Sequence, residues 1–371
     1  MNVRILAAVD RCIRPILTEI VPPSILVKTY SAGRKKFISK LASEVPKDRI
    51  IPDKRLERVC WGITFRSPIF NAAGMFKNGE GYPLVSAQGA GAYIAGTTTF
   101  NSRPGNTKEG IHLPFSPYPR SGAASNWLGL PNDGDTVVAK RLQSISRVPG
   151  CPVGVSVMGS PDFSGDEKLE KLINGMKLYR DAGVDFIEIN ESCPNTAHGK
   201  PQDDDLSKRL EKISAEFIAT RSPEKRTPVI VKFSNDTEPE QVAALMDLLI
   251  SLGFDGVNFG NSSITYARHA KYIAGQEQQL YKFFTTTFGG GITGRPLRDS
   301  SLELVRKATD SLKRNPPKQE FHIIRTGGVE SAADIRASLE AGASLVQWYT
   351  AYFENFARVG HSVYEELYRS L

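Results

Sequence analysis

The residues best suited to chemistry lie in one segment, Glu188 to Gln202, which reads EINESCPNTAHGKPQ. It places a thiol, Cys193, between two carboxamides, Asn190 and Asn195. The amides can hydrogen-bond a planar polar ligand, while the thiolate can attack carbon or remove a proton. The alternative is a structural cysteine buried in a Pro-Asn turn, because free cysteine packs readily as a small apolar side chain. The elements around the segment decide between these two interpretations.

Short β-rich runs alternate with helical stretches after residue 60, which indicates an α/β fold with a parallel sheet built from βα units. Eight units in roughly 300 residues match a (β/α)8 TIM barrel, whereas a Rossmann sheet would need a GxGxxG after an early strand. A WGITFRSP segment before the first unit is expected to form a small hairpin across the barrel floor. The predicted strands are Ile69–Ala72, Ala92–Gly96, Val153–Val157, Phe186–Asn190, Val229–Phe233, Gly256–Gly260, His322–Arg325 and Leu345–Tyr349.

Polar and glycine residues recur at the C-terminal ends of these strands, where a barrel builds its active site. Glycine pairs before helix starts bring backbone N–H groups and the helix dipole towards an anion, so we expect a phosphorylated ligand. Each feature alone is weak, because glycines often mark plain turns. The joint pattern comprises Lys77, Ser156, Asn190, Cys193, Asn195, Lys232, Asn261, Ser262, Gly289 to Gly291, Gly327, Gly328, Tyr349 and Thr350.

The first 50 residues read as an N-terminal helical extension, separate from a catalytic barrel over residues 51–371. They hold ten Lys and Arg against four Asp and Glu. Apolar residues recur every three or four positions from Val3 to Ile20, which predicts an amphipathic helix ended by Pro22 and Pro23, followed by a second helical stretch from Ser24 to Val45. Such a basic hairpin, residues 1–45, can lie on an anionic membrane or simply pack on the domain behind it.

Composition excludes several other classes of protein. The four cysteines, Cys12, Cys60, Cys151 and Cys193, show no metal-ligand spacing, so neither a disulfide framework nor a metal site is predicted, and a reducing compartment is expected. No apolar run approaches the ~18 residues of a membrane span, and the N-terminus lacks a secretory signal. Nucleic-acid binding is disfavoured, because no aromatic-interleaved basic platform accompanies the net charge of +7.

At this point the chain resembles a known family, the dihydroorotate dehydrogenases, which are FMN-dependent barrels that oxidise dihydroorotate to orotate in pyrimidine (UMP) biosynthesis. The resemblance covers about residues 60 to 355, and its motifs occur in one order, which makes it highly specific. They are AAGMFKNGE, GTTTFNSRPGN, SNWLGLPN, INESCPNT, VIVKF, GNSS, GGITGRPLRDSS, TGGVESAADI and AGASLVQWYTA.

The resemblance implies a role for each matching residue. Cys193 would take the proton from carbon 5 of dihydroorotate while hydride leaves carbon 6 for the flavin. Carboxamides suit the flat ring of orotate, and lysines against the flavin would stabilise its reduced, anionic form. The implied substrate residues are Lys77, Asn126, Asn190, Asn195, Asn261 and Ser262. The implied FMN contacts are Ala73, Gly74, Lys77, Thr97, Ser156, Asn190, Lys232, Gly260, Gly291, Gly328, Tyr349 and Thr350.

The chain mixes features of two classes of the family that use different electron acceptors. The cysteine base and CPN followed by GKPQ resemble the soluble class, which uses fumarate or NAD. The N-terminal extension, AAGMFKNGE and SLVQWYTA resemble the membrane-associated quinone class, although only Arg120 remains of an arginine-rich segment and Ser156 replaces the usual asparagine. We expect a quinone acceptor and a peripheral protein on the cytoplasmic side of a membrane. A soluble cytoplasmic enzyme using fumarate or NAD is the alternative.

Other functions are separable by simple observations. A dihydropyrimidine dehydrogenase would need cluster-binding cysteines, and a dihydrouridine synthase would carry an RNA-binding domain and a different cysteine context. A flavin-free aldolase-type barrel would use Lys232 as a Schiff-base lysine and purify colourless. A non-catalytic membrane-bound scaffold would not show bleaching of a yellow protein by dihydroorotate.

Overall fold

The computed structural model of the chain describes residues 2–191, 203–222 and 226–371, apart from the side chains of 203–205. Its strands are β1 Arg58–Cys60, β2 Ile63–Phe65, β3 Ile69–Asn71, β4 Tyr93–Thr98, β5 Thr107–Lys108, β6 Ile111–His112, β7 Phe115–Tyr118, β8 Ala123–Asn126, β9 Val153–Val157, β10 Phe186–Asn190, β11 Val229–Phe233, β12 Gly256–Phe259, β13 Gly291–Gly294, β14 His322–Thr326 and β15 Leu345–Trp348. Its helices are α1 Val3–Ile20, α2 Pro23–Ser43, α3 Tyr82–Ala87, α4 Asp135–Gln143, α5 Gly165–Asp181, α6 Asp203–Ile213, α7 Val242–Ser251, α8 Tyr266–Ala270, α9 Gln278–Thr287, α10 Arg298–Arg314, α11 Ala332–Glu340, α12 Thr350–Val359 and α13 Val363–Tyr368.

Eight strands form a parallel barrel in the order β3, β15, β14, β12, β11, β10, β9, β4. The seam between β3 and β4 is bridged by a side chain. The Nδ2 group of Asn71 donates to the Ile94 carbonyl at 2.8 Å, and the Ile94 N–H donates to Asn71 Oδ1 at 3.3 Å. The strands are buried on both faces, as expected when helices cover the outside and side chains fill the inside. The predicted (β/α)8 TIM barrel is confirmed.

The predicted strand limits agree with the observed ones to within two residues. Strands β9, β10 and β11 need no correction. The largest difference is in β4, which continues past Gly96 to Thr98 because Thr98 still pairs with Val157 of β9 after an irregularity at Gly96. Strand β12 stops before Gly260, whose positive φ of 132° takes the backbone out of the extended region.

The predicted floor hairpin is formed by β1 and β2, which pair antiparallel. Phe65 packs against Phe70 and Phe186, with ring centroids 6.4 Å and 6.0 Å apart, at the N-terminal ends of the barrel strands. The indole Nε1 of Trp61 donates to the Asp255 carbonyl at 2.8 Å. These contacts close the end of the barrel opposite the strand termini that carry the polar residues.

A three-stranded antiparallel sheet of β7, β8 and β13, which we call the mouth sheet, stands at the C-terminal end of the barrel. Its register pairs Asn126 with Gly291. Its apolar side packs into a second hydrophobic cluster, distinct from the barrel core, to which helix α2 contributes Leu26 and Val27. The other members include Ile111, Tyr118, Leu280, Phe284, Ile292 and Leu297.

The predicted N-terminal helical hairpin is present as α1 and α2. Asn2 caps α1 by accepting the Arg4 N–H at 2.7 Å, and Arg14 of α1 pairs with Glu354 of α12 at 2.7 Å, so one face of the hairpin packs on the barrel. The other face of α1 carries an apolar row of Ile5, Val9, Ile13, Ile16 and Ile20, 45% to 69% exposed. None of the helices that the structure describes is long and apolar enough to cross a membrane. The division of the chain at residue 50 stays a prediction.

Candidate active site

A cavity lies at the C-terminal ends of the barrel strands, beside the mouth sheet. It contains about 950 Å³ of space between atoms, part of it open to solvent. Most of the predicted site residues line it: Ala73, Gly74, Lys77, Thr97, Asn126, Asn190, Lys232, Asn261, Ser262, Gly328, Tyr349 and Thr350. The pattern of polar residues at strand ends therefore converges on one place in the fold.

A chain of hydrogen bonds crosses one wall of the cavity. Asn261 Nδ2 donates to Asn190 Oδ1 at 3.1 Å, and Asn190 Nδ2 donates to Thr97 Oγ1 at 3.1 Å. The Thr97 hydroxyl lies 3.0 Å from that of Ser156, which itself is fully buried behind it. Ser156 thus orients Thr97 and does not line the cavity. This series of hydrogen bonds fixes which edge of each amide faces the cavity. A site that recognises a ring with alternating donors and acceptors requires such fixed amides.

The loop after β12 carries Asn261 and Ser262 and is held by a carboxylate. Asp236 accepts hydrogen bonds from the Ile264 N–H at 2.7 Å and from the hydroxyls of Ser263 and Thr265. The Ser263 hydroxyl also lies 2.8 Å from Nε2 of the buried His269, whose pKa is lowered by burial. These bonds fix the backbone that presents the two predicted substrate residues.

The mouth sheet supplies Asn126, whose Nδ2 lies 3.5 Å from the Gly291 carbonyl. The turn between β7 and β8 is fastened by the buried carboxylate of Glu277, which accepts the Arg120 N–H at 2.8 Å and the Ser121 N–H at 3.1 Å. Gly291 serves as a strand partner of Asn126 here and is not part of the cavity lining. Gly260 also stands behind the wall, since a Cβ there would lie 1.4 Å from the Thr326 carbonyl oxygen.

The far end of the cavity is suited to an anion. Helix α12 begins at Thr350 without a side-chain cap, and both Thr350 and Ala351 line the cavity. The neighbouring helix α11 is closed by a capping box of Ser331 and Asp334, so its first N–H groups are already used. Free N–H groups at the start of α12, beside the Gly327-Gly328 turn, match a phosphate in charge and hydrogen bonding.

The floor of the cavity is charged. Lys232 Nζ lies 3.4 Å from Glu188 Oε1 and donates to Gln347 Oε1 at 3.0 Å. Glu188 and Gln347 are fully buried inside the barrel, together with Asn258. Sequence reasoning identified Lys232 as a cation at the site but missed its two partners. Both belong to motifs that the resemblance uses, EINESCPN and LVQWYTA, yet a period-two strand pattern does not say which side chains meet inside a barrel.

The N-terminal hairpin contributes a residue that sequence reasoning also missed. Arg34 of α2 donates a hydrogen bond to the Tyr349 hydroxyl and approaches the Gly74 carbonyl at 3.5 Å. In the sequence it begins the run RKK, which is typical of a solvated helix face. The remaining lining residues that sequence reasoning missed are Ala72, Leu128, Leu130, Thr293, Gly294, Leu297, Thr326, Val329, Glu330, Trp348 and Ala351.

Cys193 and Asn195, the predicted base and one predicted substrate amide, lie outside the described residues. The strand that precedes them, β10, ends at the cavity, because its last residue, Asn190, lines it. Just after it, Glu191 pairs with Arg209 of α6 at 2.8 Å. The roles of Cys193 and Asn195 remain predictions from the sequence.

Comparison with known proteins gives one consistent family. The model of the dihydroorotate dehydrogenase family matches residues 55–371. A protein of Kineococcus radiotolerans named dihydroorotate dehydrogenase (quinone) is 30% identical over 81% of this chain and 78% of its own length. One of the same name from Leifsonia xyli subsp. xyli is 32% identical over 81% of each chain.

Solved structures agree on the fold. The structure of DHODH from Eimeria tenella in complex with ferulenol is similar with a TM-score of 0.75 and 23% identity, covering 91% of this chain and 89% of that one. A ligand-free DHODH structure from the same organism gives a TM-score of 0.74 at 24% identity, covering 91% and 93%. The similarity spans the N-terminal hairpin in part as well as the barrel, since 91% of the chain exceeds the length of the barrel alone.

Proposed function

Because the chain belongs to the dihydroorotate dehydrogenase family, we propose that it oxidises dihydroorotate to orotate and passes the electrons to a membrane quinone. FMN is the cofactor of this family. The observation that carries the proposal is the single cavity at the barrel mouth, which combines an amide-lined wall with an uncapped helix start. The first suits a flat polar ring, and the second suits a phosphate.

The residues present fit FMN at both ends. The N–H groups of Thr350 and Ala351, with the Gly328 turn, would hold the phosphate, because nothing on the described chain caps α12. Backbone around Ala73 and Gly74, with Lys77, Thr97 and Lys232, would face the ring. FMN, when bound, supplies the acceptor for the hydride that leaves carbon 6 of dihydroorotate.

The chain's own residues would position the substrate. Asn126 from the mouth sheet and Asn190 and Asn261 from the barrel approach the cavity from different sides, and Ser262 and Lys77 add a hydroxyl and a cation. Amides that can both donate and accept match the imide edge, and the cation matches the carboxylate. Asn195 belongs to the same predicted set.

Cys193 is proposed as the base that removes the proton from carbon 5. A free thiol has a pKa of about 8.5, so only modest assistance brings enough thiolate at neutral pH. Two facts support this proposal: Cys193 follows Asn190 by three positions in the sequence, and β10 ends at Asn190, which lines the cavity.

The hairpin supports the choice of a membrane quinone. Its apolar row on α1 projects away from the barrel, while Arg34 on α2 reaches Tyr349 at the cavity wall. A hairpin that is apolar on its outer face and connected to the cavity on its inner face can dock on a bilayer and admit an apolar acceptor between its helices. We therefore place the protein peripherally on a membrane.

The test uses the full chain in three steps. Purification should give a yellow protein with one FMN per chain, and dihydroorotate should bleach it anaerobically. Reoxidation is then compared with quinone, fumarate and NAD in parallel, with and without lipid vesicles. A colourless protein, or one that dihydroorotate does not bleach, contradicts the oxidation of dihydroorotate. Faster reoxidation by fumarate than by quinone contradicts only the acceptor.

A further inference from the structure

Lys232 forms an ion pair with a carboxylate directly beneath the cavity. Lys232 lines the cavity and is 3% exposed, while Glu188 below it is fully buried. Glu188 Oε1 lies 3.4 Å from Lys232 Nζ and accepts no hydrogen bond. Within the part of the chain that the structure describes, Lys232 is the one cation in salt-bridge contact with Glu188.

The other carboxylate oxygen is held firmly. Glu188 Oε2 accepts hydrogen bonds from Asn258 Nδ2 at 2.7 Å and from Gln347 Nε2 at 2.8 Å. Two donors on one oxygen match an ionised carboxylate, whose oxygens only accept hydrogen bonds. A buried ionised carboxylate in turn requires a cation, because an uncompensated charge in the interior is strongly unfavourable.

Gln347 connects the two charges. Its Nε2 donates to Glu188 while its Oε1 accepts from Lys232 at 3.0 Å. The Thr326 hydroxyl lies within hydrogen-bond distance of both Gln347 Oε1 and Asn258 Oδ1, at 3.0 Å and 2.9 Å, and can donate its one proton to either. If either amide turned over, its NH2 group would face Thr326 in place of the oxygen that can accept this proton. The arrangement holds Lys232 Nζ beside the carboxylate, hydrogen-bonded to Gln347 and ion-paired with Glu188, so it is not an isolated cation.

This pairing changes what Lys232 does to a bound flavin. An isolated ammonium against the ring would strongly favour the reduced, anionic form over the oxidised, neutral form. A carboxylate 3.4 Å behind it opposes that field. The net charge of the pair is zero, so the flavin experiences a dipole whose positive end faces the cavity.

We propose that Glu188 is a positioning residue that sets the reduction potential of the flavin, by holding Lys232 at the cavity floor and offsetting most of its charge. The inference rests on the proposed placement of FMN against Lys232. A lower potential makes the flavin a better donor to the second substrate and a weaker acceptor from the first. Glu188 thereby makes the reduction of the flavin by the first substrate less favourable and its reoxidation by the second substrate more favourable.

The experiment compares the flavin midpoint potential of the FMN-loaded wild-type enzyme with that of Glu188→Gln, by equilibrium reduction against a reference dye. The substitution removes the charge and keeps the shape. The relative affinity for reduced over oxidised flavin should rise at least tenfold, which for a two-electron couple is a positive shift of about 30 mV. The double variant Glu188→Gln with Lys232→Met should not show this rise in potential, because it also removes the ammonium whose charge Glu188 offsets.

Asn258→Ser is the matched control. It removes one hydrogen bond to Glu188 without changing any charge, so its potential should stay near that of the wild type. A potential in Glu188→Gln equal to that of the wild type, with FMN bound, overturns the proposal. A rise that persists in the double variant also overturns it, because the effect would then not depend on Lys232.

A second measurement needs no altered protein. Infrared spectra of wild-type holoenzyme labelled with carbon-13 glutamate should show ionised carboxylates at neutral pH, and a buried protonated glutamic acid would contradict the ion pair. Dye-mediated reduction does not depend on turnover. Failure of the proposed function would instead appear as a wild-type protein that holds no FMN or is not bleached by dihydroorotate.

Discussion

Arg34 of α2 donates a hydrogen bond to the phenolic oxygen of Tyr349, the residue that precedes α12, and so joins the N-terminal hairpin to the wall of the cavity. The same guanidinium stands over the ring of Phe115 in the mouth sheet, 5.6 Å from its centroid. Three parts of the molecule therefore meet at one side chain. An acceptor that enters between the helices of the hairpin, as proposed, would meet the cavity beside Arg34.

Replacing Arg34 by Met should impair the quinone half-reaction selectively. Methionine keeps apolar contact with Phe115 but removes the charged hydrogen bond, whose loss is worth roughly 1.5–3 kcal/mol or about 10- to 100-fold. We expect kcat/KM for quinone to fall by that order, while anaerobic reduction by dihydroorotate falls much less. Lys36→Met, on the exposed face of the same helix, is the control. Equal losses in both half-reactions would contradict an acceptor path at Arg34.

The apolar row of α1 should determine membrane binding. Changing Val9, Ile13 and Ile16 together to Ser removes three side chains that are 45% to 56% exposed and make little contribution to the packed face. Each apolar side chain inserted into the interface contributes on the order of 1–2 kcal/mol, so vesicle binding should weaken by roughly 10²-fold or more. Flotation with anionic vesicles measures it.

Val59→Ser provides the comparison, because Val59 is 60% exposed on the floor hairpin at the opposite end of the barrel. It should bind vesicles as the wild type does. If both variants bind equally well, the row is not the docking surface.

Cys193→Ala should retain FMN and orotate binding but slow flavin reduction by dihydroorotate roughly 10²-fold or more, the usual contribution of a positioned base. Cys193→Ser should keep partial activity with its pH optimum moved upward, since a hydroxyl is much harder to deprotonate than a thiol. Stopped-flow absorbance of the flavin band gives the rate. Wild-type rates in the alanine variant would assign the base elsewhere.

Asp135 should make the stability of the fold depend on pH. It begins α4, is 1% exposed and accepts the Tyr179 hydroxyl at 3.1 Å. Burial raises the pKa of Asp135 from 3.8 to about 6. The folded protein therefore binds more protons than the unfolded chain between these values, and stability falls as pH rises through that window, by up to about 3 kcal/mol.

Urea unfolding at several values between about pH 4 and pH 7 tests this dependence. Asp135→Asn should reduce the decline in stability across that range, whereas Asp310→Asn, at an exposed position of α10, should not. An unchanged decline in Asp135→Asn would mean that other groups are responsible for the pH dependence.

The strands were predictable from sequence because short β-branched runs between helices leave few alternatives. The site was predictable as far as it follows from strand ends, which a closed barrel brings to one rim. Asn190, Lys232 and Asn261 illustrate this, since Asn190 and Lys232 lie on β10 and β11, Asn261 follows the end of β12, and all three line one cavity. The position of Asn126 followed from the family resemblance, because no barrel strand carries it.

What escaped prediction depends on contacts across the barrel or between distant segments. The Glu188–Lys232 pair joins neighbouring strands through their inward faces, and Arg34 meets Tyr349 over 315 positions of sequence. Local periodicity contains no information on such pairs, because many inward side chains could meet with the same pattern. Of the two alternatives for the hairpin, packing on the domain behind it is observed, while binding of its exposed apolar row to a membrane stays a prediction.

The second hydrophobic cluster gives the extension a structural role that does not depend on the proposed membrane contact. Leu26 and Val27 of α2 are buried against the same side chains, Tyr118 and Ile292 among them, that support the sheet carrying Asn126. The extension is therefore not a detachable anchor appended to a finished enzyme. A chain cut after the hairpin would leave the sheet that carries Asn126 without part of its hydrophobic support, so a change in the packing of the extension would also disturb the wall of the cavity.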